Sequence, residues 1–274
     1  MNQNAAPERP DLSSALVQAI DNNLPDVVDV LLRFGADMND ESSSPFFPPL
    51  KHALCDACVD CLKVLIRHGL QPNRRLRWTT QDERFGKHHD NIIVQVASTT
   101  NPVALRLLLE HATYANLTER DEILAEALVD SLCMCMTGER KTECVDILLK
   151  YGADMYANDA EAVRLVTRST TRHCHNRLLQ VFLKHGLNPD FDKGYMMWWS
   201  VYEGNIESMR ILVDNGADVH SKHGTLRTFL DESLDRFNHC GKAEHARMCR
   251  MLFETGVKCS EEKQETLRCL VSHV

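Results

Sequence analysis

An apolar run at helical spacing, closed by Gly-Ala-Asp, occurs three times in this chain. The copies are VVDVLLRFGADMND at 27–40, VDILLKYGADMYAND at 145–159 and MRILVDNGADVHSK at 209–222. Weaker copies stand between and after them. LKVLIRHGLQPN ends at Asn73, ALRLLLEHATYAN at Asn116, LLQVFLKHGLNPD at Asp190 and MCRMLFETGV at Val257. The terminating positions are Gly35, Gly69, Ala112, Gly152, Gly186, Gly216 and Gly256, with spacings of 34, 43, 40, 34, 30 and 40 residues. Self-similarity at this period points to a row of small stacked units rather than one globular core.

The physics of one unit follows from DCLKVLIRHG. Leu62, Leu65 and Ile66 recur at helical spacing and make an apolar stripe. Gly69 then sits where a helix C-terminus needs a left-handed residue, which a side chain disfavours. A shorter apolar segment precedes each such helix: SALVQAI at 14–20, PLKHAL at 49–54, IIVQVA at 92–97 and MMWWSV at 196–201. Two helices and a turn cannot close a core alone, so each unit must bury a face against the next.

These residues resemble the ankyrin repeat family. Its first helix opens Thr-Pro-Leu-His-x-Ala-Ala, and its second ends Leu-Leu-x-x-Gly-Ala-Asp. The second unit matches at Pro49, Leu50, Ala53, Leu62, Leu65, Ile66 and Gly69. The sixth matches at Met197, Ser200, Gly204, Glu207, Leu212, Gly216, Ala217 and Asp218, and the first at Leu16, Ala19, Leu31, Leu32, Gly35, Ala36 and Asp37. The resemblance implies an all-α ankyrin-repeat solenoid of about seven helix-turn-helix units with finger turns. The units would cover about 11–40, 44–73, 91–117, 121–158, 161–192, 195–222 and 225–259, in a repeat domain spanning 11–259. A flexible tail at 1–10, an insertion at 74–90 and a capping helix at 260–274 complete the expected organisation. No unit carries the full Thr-Pro-Leu-His string, so the fingers are expected to be irregular.

The function the resemblance implies is protein–protein recognition without catalysis. The family's variable contact positions map to Asp21 and Asn22, Cys55 and Asp56, Ser98 and Thr99, and Tyr202 and Glu203. They are mostly polar or acidic, which suits a basic or polar segment of a protein partner. Trp198 falls near the finger and borders the groove, whereas Trp199 is expected to pack inward. The insertion adds Arg74, Arg75, Arg77 and Trp78, residue types enriched at binding hot spots. With Arg84 and Lys87 against Asp82, Glu83 and Asp90, it carries about +2 on a chain of net charge −8.

The remaining composition narrows the alternatives. Hydrophobic residues at 43 % and charged residues at 26 % exclude wholesale disorder. The net charge of −8 argues against a nucleic-acid binder. No apolar stretch has the roughly 18 residues of a spanning helix, and the N-terminus shows no secretory h-region. A monomer in the cytosol or nucleus, with reduced thiols, is expected.

An enzyme or metal-binding protein is the rival reading, resting on Cys55, Cys58 and Cys61, on His173-Cys174-His175, and on His239, Cys240, His245 and Cys249. None of these spacings is that of a standard zinc site. Cys61, Cys144 and Cys249 recur at one buried position of the second helix, as packing requires. The two His/Cys groups are expected in solvated interhelix turns. No nucleophile elbow, phosphate loop or His-Glu-x-x-His is present, so neither catalysis nor a cofactor or metal is expected.

Overall fold

The computed structural model describes residues 12–39, 49–54, 58–72, 91–133, 138–168, 172–221 and 228–272. Its elements are α-helices: α1 (Leu12–Asp21), α2 (Pro25–Arg33), α3 (Pro49–Ala53), α4 (Val59–Arg67), α5 (Ile92–Ser98), α6 (Pro102–His111), α7 (Leu117–Cys133), α8 (Glu139–Lys150), α9 (Ala157–Arg168), α10 (Arg172–Lys184), α11 (Phe191–Glu203), α12 (Ile206–Asp214), α13 (Phe229–Cys240), α14 (Ala243–Glu254) and α15 (Gln264–Ser272). Among the described residues α1 packs on α2, α3 on α4, α5 on α6, α9 on α10, α11 on α12 and α13 on α14, and α15 packs on α14. The chain divides into two compact units, one of residues 1–136 and 147–154, the other of 137–146 and 155–274.

Within the first unit the helices form two layers. Of the first helices, α1 packs on α3 and α5 on α7; of the second helices, α2 packs on α4 and α4 on α6. The second unit repeats the arrangement, with α9 on α11 and α11 on α13 in one layer, and α10 on α12 and α12 on α14 in the other. The core is largely aliphatic, as with Leu50, Leu62 and Leu65 in the second pair and Met197, Val201 and Leu212 in the sixth, with Phe182 and Phe229 as buried rings.

The stop signal read from the sequence takes one geometry six times. At Gly35 the backbone turns left-handed (φ +90°), its N–H donates to Leu32 O and the N–H of Ala36 reaches Leu31 O, 3.1 and 3.0 Å away. This double closure satisfies helix-end carbonyls that would otherwise lack partners. Gly69, Gly152, Gly186, Gly216 and Gly256 do the same. Ala112 does not. With a Cβ in place it is extended (φ −70°, ψ 134°), and α6 ends without that closure.

The expected irregular fingers take a definite form in the second unit. Residues Asn158–Ala160 and Asp192–Gly194 each make a three-residue left-handed turn before the regular part of α9 and of α11. Asp190 ties one finger to the next, its Oδ1 accepting the N–H of Asp218 at 2.8 Å.

Polar contacts tie some of the pairs to their neighbours. His68 Nε2 stands 2.7 Å from Asp29 Oδ1, and His185 Nε2 stands 2.9 Å from Asp146 Oδ1, one residue before the stop glycine in both cases. The His68 hydrogen bond, with Arg33 nearby, holds the Asp29 carboxyl below its ordinary value of 3.8. A depressed carboxyl stabilises the fold above the ordinary value, and that contribution is lost as pH falls through the lower, folded-state value. Thermal melts between pH 6 and pH 3 should therefore show a smaller acid-induced loss for Asp29→Asn than for the wild type.

The terminal segment is held by Asp231, in a capping box with Thr228 at the start of α13. Burial works to raise this carboxyl, but hydrogen bonds from Ser260 and Thr228 prevail and lower it. Its Oδ1 accepts the Ser260 N–H at 2.8 Å, and its carbonyl accepts Lys263 Nζ at 2.9 Å. α15 follows this segment and packs on α14, with Leu267 buried.

The structure corrects several expectations. His173-Cys174-His175 lies in the first turn of α10, not in an interhelix turn. His239 and Cys240 close α13, and His245 is buried within α14 rather than solvated. The reason is Gly204, the left-handed cap of α11. Its missing side chain leaves room for the His245 ring, which a Cβ there would meet at 3.1 Å. Cys58 stands at the N-cap of α4 and is buried, its thiol donating to Ile20 O at 3.2 Å.

Candidate functional site

Tyr195, Trp198, Trp199 and Tyr202 follow an i, i+3, i+4, i+7 pattern along α11 and share one helix face. The opposite face, with Met196, Met197, Ser200 and Val201, is buried. It is closed to the next helix by a 2.8 Å hydrogen bond between the Ser200 and Ser208 hydroxyls. The four rings are therefore held at the rim of the core, each half-buried.

The rings form one continuous ledge. Trp198 and Tyr202 stack at 5.2 Å between centroids and 29° between planes, and Trp199 and Tyr202 at 5.7 Å and 27°. Tyr195 lies 6.3 Å from Trp198 and 6.5 Å from Trp199. Arg236, on α13, lays its guanidinium 3.9 Å from the Tyr202 ring centre, while its Nε donates to Tyr202 O at 3.2 Å. The cation is thus fixed by a ring quadrupole and a carbonyl together. Glu203 stands exposed at the end of the same helix.

Large rigid rings present contact area at little entropic cost, and Trp, Tyr and Arg dominate binding hot spots. The ledge can stack on a planar, aromatic, proline or cationic group. Of the residues expected from the sequence, Trp198 and Tyr202 are brought together here. Trp199, expected to pack inward, is instead half-buried beside them, because α11 turns its Met196–Met197 and Ser200–Val201 sides to the core. Tyr195 and Arg236 were not anticipated. The four-ring spacing was visible in the sequence, whereas Arg236, 34 residues beyond Tyr202, had no local signal.

The other expected contact residues are placed as follows. Asp21, at the end of α1, is half-exposed and lies 2.7 Å from His52 Nδ1, and Asn22 caps that helix by donating to Gln18 O. The Ser98 and Thr99 hydroxyls donate back to Gln95 O and Val96 O at the end of α5. Cys55, Asp56, Arg74, Arg75, Arg77 and Trp78 lie outside the described residues, as does the whole insertion.

The thiols read as packing. Cys61, Cys144 and Cys249 are all buried in second helices. Burial pushes the Cys249 thiol up to about 11, and the thiol donates to Ser233 Oγ. A thiol so raised is protonated at neutral pH and is a poor nucleophile. Among the described residues no three His, Cys, Asp or Glu side chains gather as a metal-ligand set, and no helix is long and apolar enough to cross a membrane.

Known proteins resemble this chain at two levels. No family model matches it. An ankyrin repeat protein of Acanthamoeba polyphaga mimivirus is 23 % identical over 123 residues, a match spanning 45 % of this chain and 25 % of that relative. Among solved structures, the ankyrin repeat domain of Bcl-3, a member of the IkappaB protein family, superposes with a TM-score of 0.53 at 20 % identity, over 82 % of this chain and 93 % of that one. The human ASB11 ankyrin repeat domain gives 0.51 at 17 % identity, over 82 % and 91 %. With its paired helices, its six glycine closures and these neighbours, the chain has the ankyrin-repeat fold.

Proposed function

We propose that this chain is a non-catalytic protein-interaction module whose contact surface centres on Tyr195, Trp198, Trp199, Tyr202 and Arg236. The ledge of four half-buried rings on one face of α11 carries this reading. A repeat needs apolar residues on its inner faces, but it has no packing use for two tryptophans and two tyrosines at the rim. The ankyrin-repeat fold supports the same reading, since it offers first helices and fingers for contact. In the first unit the corresponding contact positions are Asp21, Asn22, Ser98 and Thr99. The basic insertion with Arg74, Arg75, Arg77 and Trp78 is proposed as an additional contact.

Quantitative affinity capture tests this. Wild-type chain and the double variant Trp198→Ala, Tyr202→Ala would be immobilised at equal density and their bound proteins compared by mass spectrometry. The variant should lose specific partners by about tenfold or more, the effect of removing a hot spot. Its far-UV circular dichroism should remain that of the wild type. The same partners captured undiminished by a folded variant would place recognition elsewhere.

A further inference from the structure

Arg236 is half-buried and held against the aromatic ledge, yet it lacks a counter-charge. Its guanidinium rests on the Tyr202 ring, and its Nε donates to Tyr202 O. Both terminal amino groups, Nη1 and Nη2, are left without an acceptor among the described residues. No carboxylate among them stands within ion-pair distance, neither Glu232, one helical turn earlier on α13, nor Glu203, beside Tyr202 at the end of α11. Other basic side chains behave differently: Arg33 pairs with Asp29 at 2.7 Å, Arg177 with Glu139 at 3.0 Å and Lys184 with Asp146 at 3.2 Å. With 39 Asp and Glu in the chain, a carboxylate for Arg236 would be easy to supply. A fixed guanidinium has already lost much of the freedom that binding would otherwise cost, so it is ready for a partner.

The free edge decides what Arg236 can bind. A guanidinium takes a carboxylate bidentately, through Nε and one terminal amino group or through both terminal amino groups. The Tyr202 carbonyl occupies Nε, so the Nη1–Nη2 edge remains. Its two parallel N–H groups match the two oxygens of a carboxylate. A cationic group, which bare rings also suit, is repelled here by the charge of Arg236. The rings supply the neighbouring contact. Trp199 and Tyr202 stand 5.7 Å apart and Trp198 and Tyr202 5.2 Å apart, and each ring is half-buried. Such a surface suits a flat, compact group. Proline is one, and a proline-rich segment is stiff before it binds, so it loses little entropy on docking. Because Tyr202 touches both, the guanidinium and the Trp198 ring lie within about three residues of extended chain.

We infer that the ledge takes an acidic, proline-containing segment of a protein partner. An Asp or Glu carboxylate of that segment sits on the Nη1–Nη2 edge of Arg236, and a proline within about three residues of it stacks on Trp198 and Trp199. This rests on the reading of the ledge as the contact surface and adds the chemistry of what it holds. It departs from the basic or polar segment expected of the sequence, because Arg236 reaches the site from another helix pair.

Fluorescence anisotropy of labelled, end-blocked peptides on the full chain tests it. One peptide is three Glu-Pro-Pro triplets, the other three Gln-Pro-Pro triplets. The wild type should bind the Glu peptide saturably and about tenfold or more tighter than the Gln peptide, as a charge-assisted hydrogen-bonded pair requires. Arg236→Gln should bring the two affinities together. Arg236→Lys, which keeps the charge but not the paired edge, should leave only a small part of the discrimination. Trp199→Ala should weaken both peptides by a similar factor, about tenfold. The discrimination is a ratio read on one protein, so a loss of stability alone does not move it. Equal binding of the two peptides by the wild type, or a discrimination that survives Arg236→Gln, overturns the carboxylate assignment. A wild type that binds neither peptide at millimolar concentration overturns the inference as well. Affinity capture with Trp198→Ala, Tyr202→Ala decides separately whether the ledge is the contact surface, so the two failures are distinguishable.

Discussion

Leu65→Ala is expected to destabilise the chain by about 2–5 kcal/mol, the range for emptying a packed leucine site. Leu65 is fully buried in α4, and its backbone carbonyl receives the Leu70 N–H in the closure at Gly69. Leu62, Val64 and Leu70 crowd the same core and are themselves buried, so collapse into the space left is limited. Because repeats are stabilised by nearest neighbours, the loss falls first on the helices packed against α4. Urea unfolding followed by circular dichroism checks the magnitude, and hydrogen exchange in α2, α4 and α6 checks the location. Leu117→Ala is the control: that residue is exposed, and the change should stay within about 0.5 kcal/mol. An unchanged urea midpoint for Leu65→Ala would contradict the packing assigned to α4.

Gly194→Val should be comparably damaging, for two reasons that act together. Gly194 has φ +77°, a conformation that β-branched residues resist. A Cβ at this position would also come within 2.9 Å of Phe229 Cζ and 3.0 Å of Ser221 Oγ. Phe229 is buried at the start of α13 and has nowhere to retreat. Backbone strain of about 1–3 kcal/mol and overpacking of about 1–3 kcal/mol give a total cost of about 2–6 kcal/mol. Gly216→Ala separates the terms. It has the same positive φ but open space around the Cβ, so only strain of about 1–2 kcal/mol is expected. Since Gly194 directly precedes Tyr195, relief of the clash in Gly194→Val would tilt the start of α11 and shift tryptophan fluorescence. Equal melting temperatures for the two glycine variants would show that Phe229 yields and that the contact carries no constraint.

The expected cysteine and tryptophan environments show how far local reasoning reached. Cys61, Cys144 and Cys249 were legible because repeat register puts them at one position, and register carries burial from one unit to the next. Trp198 and Trp199 were not separable in that way. Neighbours on a helix face differ in burial only through the exact rotation of α11 against its neighbours, which sequence spacing does not specify. His245 shows the same limit more sharply. A histidine near a Gly-Lys turn reads as solvated, yet it is buried because Gly204, 41 positions earlier, leaves room for its ring.

What the sequence determined by itself was the helix-pair architecture and where each pair stops. Those features rest on local physics: apolar period, and the left-handed conformation that glycine alone adopts cheaply. Ala112 confirms the rule by its exception, since its side chain turns the stop residue extended and the closure is lost. Tertiary structure alone decided which faces are covered. Val27 and Cys61 each stand eight positions before a stop glycine, and nothing in either segment distinguishes an exposed face from a covered one. Val27 is exposed and Cys61 buried because burial depends on the neighbour that arrives from elsewhere in the chain, and α2 has no neighbour on that side among the described residues.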